Sequence, residues 1–213
     1  MSRSNKYKRE RRLSQSIRDR ILILCGGETE VIYFDLYKEK YKEYFKNIEV
    51  KLKKKDESPL RMVESAIKRK REGEYHEIWV LFDKDAFDCF DEAIALAEKN
   101  GIHCAFSNEA FEYWFVLHIE NTWRYIDRPA LNKMVGAHLG IPNYDKNKRD
   151  VEKASRTFME KPNVLEKVEE RARKIHEQHQ NNYWNRKPNK PNEWKSCTTV
   201  YLLTKRLRKG ISG

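Results

Sequence analysis

The chain has 213 residues, a net charge of +11 and 39% hydrophobic residues. This length can bury one substantial core with an extension, and the mean hydropathy of −0.92 predicts a sizeable exposed or irregular share. The sequence has no apolar run of membrane-spanning length and no signal-peptide core behind its basic start, so no membrane partner is expected. The four cysteines show neither zinc-ribbon nor disulfide-framework spacing, and a reducing cytoplasm is the expected compartment.

The positive charge is concentrated at the two ends of the chain. Residues 1–20 carry +6 and residues 161–213 carry +8, whereas residues 21–160 carry −3. Lysine and arginine attract phosphate, so we expect a nucleic acid, RNA or DNA, as partner. The alternative is that the basic ends only aid solubility.

The first elements indicate an arm followed by a buried strand. Residues 1–18 are polar and charged, which predicts a flexible basic arm before an α/β core at 19–120. Ile21 to Cys25 form a continuous apolar run, typical of a strand buried on both faces of a parallel sheet. Two glycines then permit a sharp turn, after which Thr29 is expected to cap an acidic helix. In an open α/β sheet, ligands bind at such a turn.

Strand and helix patterns alternate through the first half of the chain. The predicted strands after the first are 47–52, 77–82 and 102–106, and the predicted helices are 29–45, 58–73 and 88–100. This alternation predicts an α/β fold with a parallel or mostly parallel sheet flanked by helices.

Carboxylates follow two of these strands directly. The strand at 77–82 runs into Asp83-Lys84-Asp85, and a parallel neighbour would bring Glu30 to the same sheet edge. Carboxylates in one small volume repel each other unless a cation is present, and Mg²⁺ or Mn²⁺ suits oxygen ligands. The alternatives are loop or cap roles for the aspartates and a helix-dipole role for Glu30.

Further side chains are candidates for the same site. Glu28 is a possible ligand from the acidic helix start. Ser107, Glu109 and Glu112 follow another predicted strand and would complete the shell of a second metal. The alternative is that Ser107 and Asn108 simply cap the next helix.

The histidines give weaker signals. His118 lies in an apolar segment, which favours a packed, hydrogen-bonded core histidine. His176 and His179 lie three residues apart on a predicted helix, but without a third ligand nearby they do not indicate zinc.

Residues 121–213 are predicted to form a helical, basic region that packs on the core. Its predicted helices are 129–139, 151–159, 162–180 and 196–207. Residues 181–195 have no regular period, and their aromatic side chains either stack on bases or anchor the fold: Tyr183, Trp184 and Trp194.

Four lysine and arginine side chains are candidate phosphate contacts. Lys54 and Lys55 follow the second predicted strand, and Arg206 and Lys209 end the last predicted helix. A solvated surface position is the alternative for each of them.

Four motifs together resemble a known family. They are Gly27-Glu-Thr-Glu-x-x-Tyr-Phe34, Phe82-Asp-Lys-Asp-Ala-Phe87, Ser107-Asn-Glu-Ala-Phe-Glu-x-Trp114 and a closing segment that opens with Thr198-Thr199. With the basic arm, they resemble the RloB family over nearly the whole chain. This family comprises bacterial proteins often encoded beside restriction–modification and other phage-defence systems.

The resemblance implies a Toprim-like fold related to OLD-type nucleases. It implies a Mg²⁺-dependent nuclease acting on RNA or DNA in phage defence or abortive infection, alone or with a defence ATPase, as a monomer or an oligomer. By the resemblance, Glu30, Asp83 and Asp85 bind the metal and Glu112 supports them.

One position departs from the family pattern. Gly26 stands where the first motif usually has a glutamate, to which Toprim enzymes assign acid–base work or metal binding. Three explanations stay open: a catalytically impaired copy, replacement by Glu28, or an alteration that traps an inactive state. The alternative function is a non-catalytic nucleic-acid-binding or regulatory subunit of a defence complex.

Overall fold

The computed structural model describes residues 19–181 and 190–209. The strands are β1 (Asp19–Cys25), β2 (Ile48–Lys54), β3 (Glu77–Asp83), β4 (His103–Asn108) and β5 (Cys197–Thr198). They form one sheet in the order β2-β1-β3-β4-β5, in which β5 pairs antiparallel to β4 and all other pairs are parallel. The predicted α/β class with a mostly parallel sheet is confirmed.

Helices cover both faces of the sheet. They are α1 (Glu28–Lys40), α2 (Pro59–Glu72), α3 (Phe90–Lys99), α4 (Glu112–Ile119), α5 (Arg128–Leu139), α6 (Lys148–Glu160), α7 (Val164–Gln180) and α8 (Val200–Arg208). Helices α2 and α3 pack on one face, and α1 and α4 to α8 contribute to the core on the other. No helix of the described ranges combines the length and the apolar character that a bilayer crossing requires.

Strand β1 lies inside the sheet, which explains its unbroken apolar run. Successive strand side chains point to opposite faces. Ile21 and Ile23 therefore enter one hydrophobic cluster while Leu22 and Leu24 enter the other, and all four are completely buried. A polar residue at any of these positions would have to enter a helix-covered core, as in other parallel sheets.

Helix α2 follows its sequence signals closely, whereas α1 does not. Ser58 precedes Pro59 at the start of α2, and Gly73 ends the helix with a left-handed φ of 73°, as the sequence predicts. Helix α1 begins one residue before Thr29, and its N-cap is Gly27. The predicted cap role of Thr29 is therefore wrong.

The end of the chain differs from its prediction. The predicted helix at 196–207 is wrong at its start, because Cys197 and Thr198 form β5 and the helix begins only at Val200. Hydroxyl groups hold this segment to β4: Thr198 Oγ1 lies 3.0 Å from Ser107 Oγ, and Thr199 Oγ1 accepts from the backbone N–H of Phe106 at 2.8 Å. A strand of two residues has too few positions to show a period in the sequence.

The hydrophobic core includes residues from both sides of position 120. One cluster contains Tyr33 and Trp114 together with Leu131, Val168 and Leu207. The helices of the second half thus cover the same face of the sheet as α1. The predicted arm at 1–18 lies outside the described residues.

Candidate metal and phosphate site

A cavity of about 510 Å³ lies at the carboxyl ends of the parallel strands. Its walls contain the four predicted carboxylates and the family-variant glycine: Glu30, Asp83, Asp85, Glu112 and Gly26. Parallel strands all end at the same edge of the sheet, so residues far apart in sequence meet there.

Two backbone hydrogen bonds hold the Asp-Lys-Asp turn. Asp83 is the last residue of β3, and Asp85 has a positive φ of 46°. The backbone N–H groups of Lys84 and Asp85 donate to the carbonyl oxygens of Ser107 and Glu109, at 2.9 and 3.3 Å. The end of β4 therefore determines where both aspartates lie.

Glu30 enters the cavity from the first turn of α1. Its residue is only 4% exposed, and a Cβ added at Gly27 would lie 2.7 Å from Glu30 Oε2. Any side chain at Gly27 would displace this carboxylate. The second glycine of the turn therefore leaves open the place that Glu30 occupies.

Burial and neighbouring charges raise the pKa of two of these carboxylates. Burial raises the pKa of Glu30 to about 7, its own backbone N–H opposes the shift, and the charge of Glu112 adds to it. Burial also raises the pKa of Asp83 well above its usual range, with contributions from Glu30 and Glu112. Negative charge on Glu30 and on Asp83 is therefore costly, first because both are buried and then because other carboxylates lie close by.

Two basic side chains that the sequence did not single out face these carboxylates. Arg128 Nη2 lies 2.6 Å from Asp85 Oδ1 and 3.7 Å from Asp83 Oδ2. Lys146 Nζ lies 2.6 Å from Glu112 Oε2. Arg128 begins α5 and Lys146 lies in the connection to α6, and neither position carries a local pattern that would have identified it.

The candidate ligands are of the type that a hard divalent cation prefers, but their side chains are not arranged around a common point. All the candidate ligands are carboxylates, and neither oxygen of the buried Glu112 has a hydrogen-bond partner of good geometry among the described residues. In the same ranges, no group of three His, Cys, Asp or Glu side chains is arranged as a ready metal site. Arg128 and Lys146 neutralise the carboxylates in this state.

Gly26 faces the cavity with little space behind it. Its N–H donates to Leu81 O at 2.8 Å, and an added Cβ would lie 3.3 Å from that oxygen and 3.6 Å from Met62 Sδ. A side chain here needs a shift of a few tenths of an ångström, in contrast to Gly27.

The other acidic and polar candidates are not at the cavity wall. Glu28 is exposed at the start of α1 and does not line the cavity. Ser107 bonds to Thr198 within the sheet, and the carboxylate of Glu109 accepts from Tyr125 Oη at 2.8 Å. The alternative role of Ser107 and Asn108 as a helix cap is also wrong, because they are the last residues of β4.

The expectation of a core histidine at 118 is confirmed. His118 Nδ1 lies 2.9 Å from Trp114 O, and burial lowers the pKa of His118 to about 4. His176 is buried, unlike the partly buried His118, and its Nδ1 lies 2.9 Å from Tyr201 Oη.

The structure separates the four predicted phosphate contacts. Lys54 and Lys55 pair at 3.3 Å with Asp56 and Glu57, which belong to the cavity wall. Arg206 instead pairs at 2.7 Å with Glu77 at the opposite end of β3, about 20 Å along the strand from Asp83. Lys209 is exposed just after α8.

Of the three aromatic residues in the predicted irregular segment, the structure describes only Trp194. Trp194 is only 8% exposed and stacks on His179, so it anchors the fold. Tyr183 and Trp184 lie outside the described residues.

Comparison with known proteins gave one match. The family model RloB, described as RloB-like protein, matches residues 21–207, which include every strand from β2 to β5 and all of the cavity wall. Neither the curated proteins nor the solved structures contain a match to this chain.

Proposed function

This chain belongs to the RloB family, and on that premise we propose that it is a nuclease that hydrolyses phosphodiester bonds of RNA or DNA with Mg²⁺ or Mn²⁺. One observation carries the proposal: Glu30, Asp83 and Glu112, from three separate elements, share one cavity at the carboxyl edge of the sheet. Burial and neighbouring negative charge raise the pKa of Glu30 and Asp83, and a bound cation would relieve this repulsion.

The residues have distinct roles in this proposal. Glu30, Asp83 and Asp85 would hold the cation, and Glu112 would support them from the start of α4. A divalent ion in such a site polarises the phosphoryl group and lowers the pKa of water. Arg128 and Lys146, displaced from the carboxylates, would then face the phosphate oxygens, which guanidinium and ammonium groups bind well.

The biological setting is a part of the proposal that rests on the family resemblance. It comprises a Toprim-like fold, a cytoplasmic role in phage defence or abortive infection, and action alone or with a defence ATPase.

A second candidate function is a non-catalytic nucleic-acid-binding or regulatory subunit. Two observations favour it: Gly26 replaces the family glutamate, and Arg128 and Lys146 already pair with the carboxylates. A site neutralised by its own cations can persist without a metal.

Replacement of Asp83 by asparagine separates the two functions. If the protein is a nuclease, it cleaves labelled RNA or DNA with Mg²⁺ or Mn²⁺, EDTA stops the reaction, and Asp83→Asn lowers the rate about 10²-fold or more. The matched control is Asp88→Asn, because Asp88 is exposed on the same connection and does not line the cavity.

The opposite outcome supports the non-catalytic subunit. It consists of no cleavage by the wild type or by Gly26→Glu with either ion, together with nucleic-acid binding that is unaffected by Asp83→Asn and by EDTA. Calorimetric titration with Mn²⁺ provides the separate measure of whether Asp83 contributes to ion binding.

A further inference from the structure

Large exposed aromatic side chains lie in the wall of the carboxylate cavity and in the segment that leads to Arg128. In the described ranges, Trp123 is 71% exposed, Tyr125 50% and Phe87 40%. The only other large hydrophobic side chain exposed to this extent there is Leu202, which lies on α8 and lines a different cavity. Aromatic surface left in water at one place is typical of a binding surface.

Each ring has a different link to the candidate site: Phe87 through the cavity wall, Tyr125 through a hydrogen bond and Trp123 through the chain. Phe87 is itself part of the cavity wall. Tyr125 Oη donates to Glu109 Oε1 at 2.8 Å, and the carbonyl oxygen of Glu109 accepts from the N–H of Asp85. Trp123 is two residues from Tyr125, so their Cα atoms lie within about 7 Å.

Positive charges alternate with the rings. Lys195 Nζ lies 4.6 Å from the centre of the Tyr125 ring. Arg124, between the two exposed rings, has a side chain that is 66% exposed and pairs with Glu120 only at 3.6 Å. Arg128 follows three residues after Tyr125 and reaches Asp85. Cations suit phosphates and aromatic faces suit bases, so this surface matches the alternating chemistry of a nucleic-acid strand.

From this arrangement we infer that Phe87, Trp123 and Tyr125 form a stacking surface for the unpaired bases of single-stranded RNA or DNA. A base inside a duplex has both faces covered by its neighbours, whereas a single strand offers them to side chains. The interleaved Lys195 and Arg124 favour this ligand over a protein partner, since charged residues are depleted from the centres of protein interfaces. The inference deepens the proposed function by naming its substrate class.

Binding measured without metal tests this surface. Fluorescence anisotropy in EDTA would use three labelled probes of about 12 nucleotides: a single strand, the same strand without bases, and a duplex. Trp123→Ala is expected to weaken binding of the single strand roughly 5- to 150-fold and to leave the abasic probe unchanged. Trp123→Phe keeps an aromatic face and is expected to bind nearly as the wild type does. Leu202→Ala is the control for loss of an exposed apolar side chain elsewhere.

Several outcomes would overturn the surface. They are unchanged binding by Trp123→Ala, an equal loss for the abasic strand, tighter wild-type binding of the duplex than of the single strand, or lost self-association with unchanged nucleic-acid binding. Thermal unfolding shows whether Trp123→Ala is folded, which its exposure predicts. EDTA excludes cleavage, so this binding test is independent of the cleavage assay with Mg²⁺ or Mn²⁺. If the stacking effect is found but the cleavage assay shows no activity, the nuclease is refuted and the stacking surface is retained. If the cleavage assay shows activity but Trp123→Ala has no effect on binding, the nuclease is retained and the stacking surface is refuted.

Discussion

At the residue scale, the two glycines of the first turn have different reasons to be there. A Cβ at Gly27 would meet Glu30 Oε2 at 2.7 Å, so a side chain there would displace the end of this buried carboxylate. A Cβ at Gly26 would meet Leu81 O at 3.3 Å, which a small shift relieves. At position 27 the group that must move is a candidate ligand, whereas at position 26 it is the backbone of β3.

The variant Gly26→Glu is predicted to strengthen metal binding and cleavage. It adds a carboxylate to a cavity that already holds Glu30 and Asp83, and one more anionic ligand raises the affinity for a hard cation. The tight contact with Leu81 is expected to lower the free energy of unfolding by about 1–3 kcal/mol. Calorimetry with Mn²⁺ and a cleavage assay measure the two gains, and denaturant unfolding measures the loss.

Gly26→Gln is the control for the shape of the new side chain. It introduces the same bulk without the charge, so it should lower stability equally and bring no gain in Mn²⁺ affinity. Equal Mn²⁺ affinities for Gly26→Glu and Gly26→Gln would contradict the role assigned to this position.

The raised pKa of Glu30 predicts a pH-dependent stability of the metal-free protein. The folded pKa is about 7, against 4.5 for an ordinary glutamate. The folded state therefore holds a proton that the unfolded state releases, and the contribution of Glu30 is fully present below pH 4.5 and lost as the pH rises through 7. In EDTA, Glu30→Gln should be more stable than the wild type at pH 8, with the difference shrinking toward pH 5.

Thermal unfolding at a series of pH values measures this difference. Glu28→Gln, at an exposed position on the same turn, is the matched control and should follow the wild type. The lowered pKa values of His118 and His176, each about 4, give a contribution of opposite sign that is common to all variants. Parallel curves for the wild type and Glu30→Gln would show that Glu30 does not titrate as described.

At the element scale, helix α7 carries two kinds of ion pair. Glu169 is completely buried, accepts a hydrogen bond from Thr204 Oγ1 at 2.9 Å and pairs with Arg208 of α8. Arg173 pairs on the surface with Glu170 and Glu177 of its own helix. The first pair joins two elements, whereas the second stays within one.

Loss of the buried pair is predicted to destabilise the protein far more than loss of the surface pairs. Arg208→Ala leaves Glu169 buried without its cation and should lower the free energy of unfolding by about 2–4 kcal/mol. Arg173→Ala removes a solvated pair and should change stability little. Denaturant unfolding of both variants makes the comparison.

The pH adds a check on the cause. Burial already raises the pKa of Glu169, and Arg208 opposes that shift. Without Arg208 the folded pKa rises further, so the destabilisation should be larger at pH 8 than at pH 5. A loss that is independent of pH would indicate lost packing of the arginine stem instead.

At the scale of the whole molecule, the last segment completes both the sheet and the core. Strand β5 pairs with the end of β4. Helix α8 buries Val200, Leu203 and Leu207 completely, beside helices from the middle of the chain. The segment thus also stabilises the strand end that positions the Asp-Lys-Asp turn.

Removal of residues 190–213 is predicted to abolish cooperative folding. Three fully buried aliphatic side chains contribute about 1.5–3 kcal/mol each. Their sum is comparable to the whole free energy of unfolding of a typical domain. Circular dichroism during heating should show no sharp transition in the truncated protein. Removal of residues 1–18, which contain few apolar side chains, is the control and should leave the transition unchanged.

Local patterns in the sequence determined much of this protein by themselves. The apolar run of β1, the Pro59 and Gly73 boundaries of α2, and the carboxylates after β3 each depend on residues close together in the chain. The periods of helices and strands and the chemistry of caps and turns are visible in such stretches. Parallel strands further imply that their ends meet, which is why Glu30 and Asp83 could be predicted as neighbours.

Only the tertiary structure decided which charges meet and how the sheet ends. Arg128 and Lys146 reach the carboxylates, Arg206 instead pairs with Glu77, and Thr198 completes the edge of β4. None of these contacts follows from neighbouring residues, because each joins positions separated by tens of residues. An ion pair or a two-residue strand depends on which surfaces folding brings together, and a local sequence pattern does not contain that information.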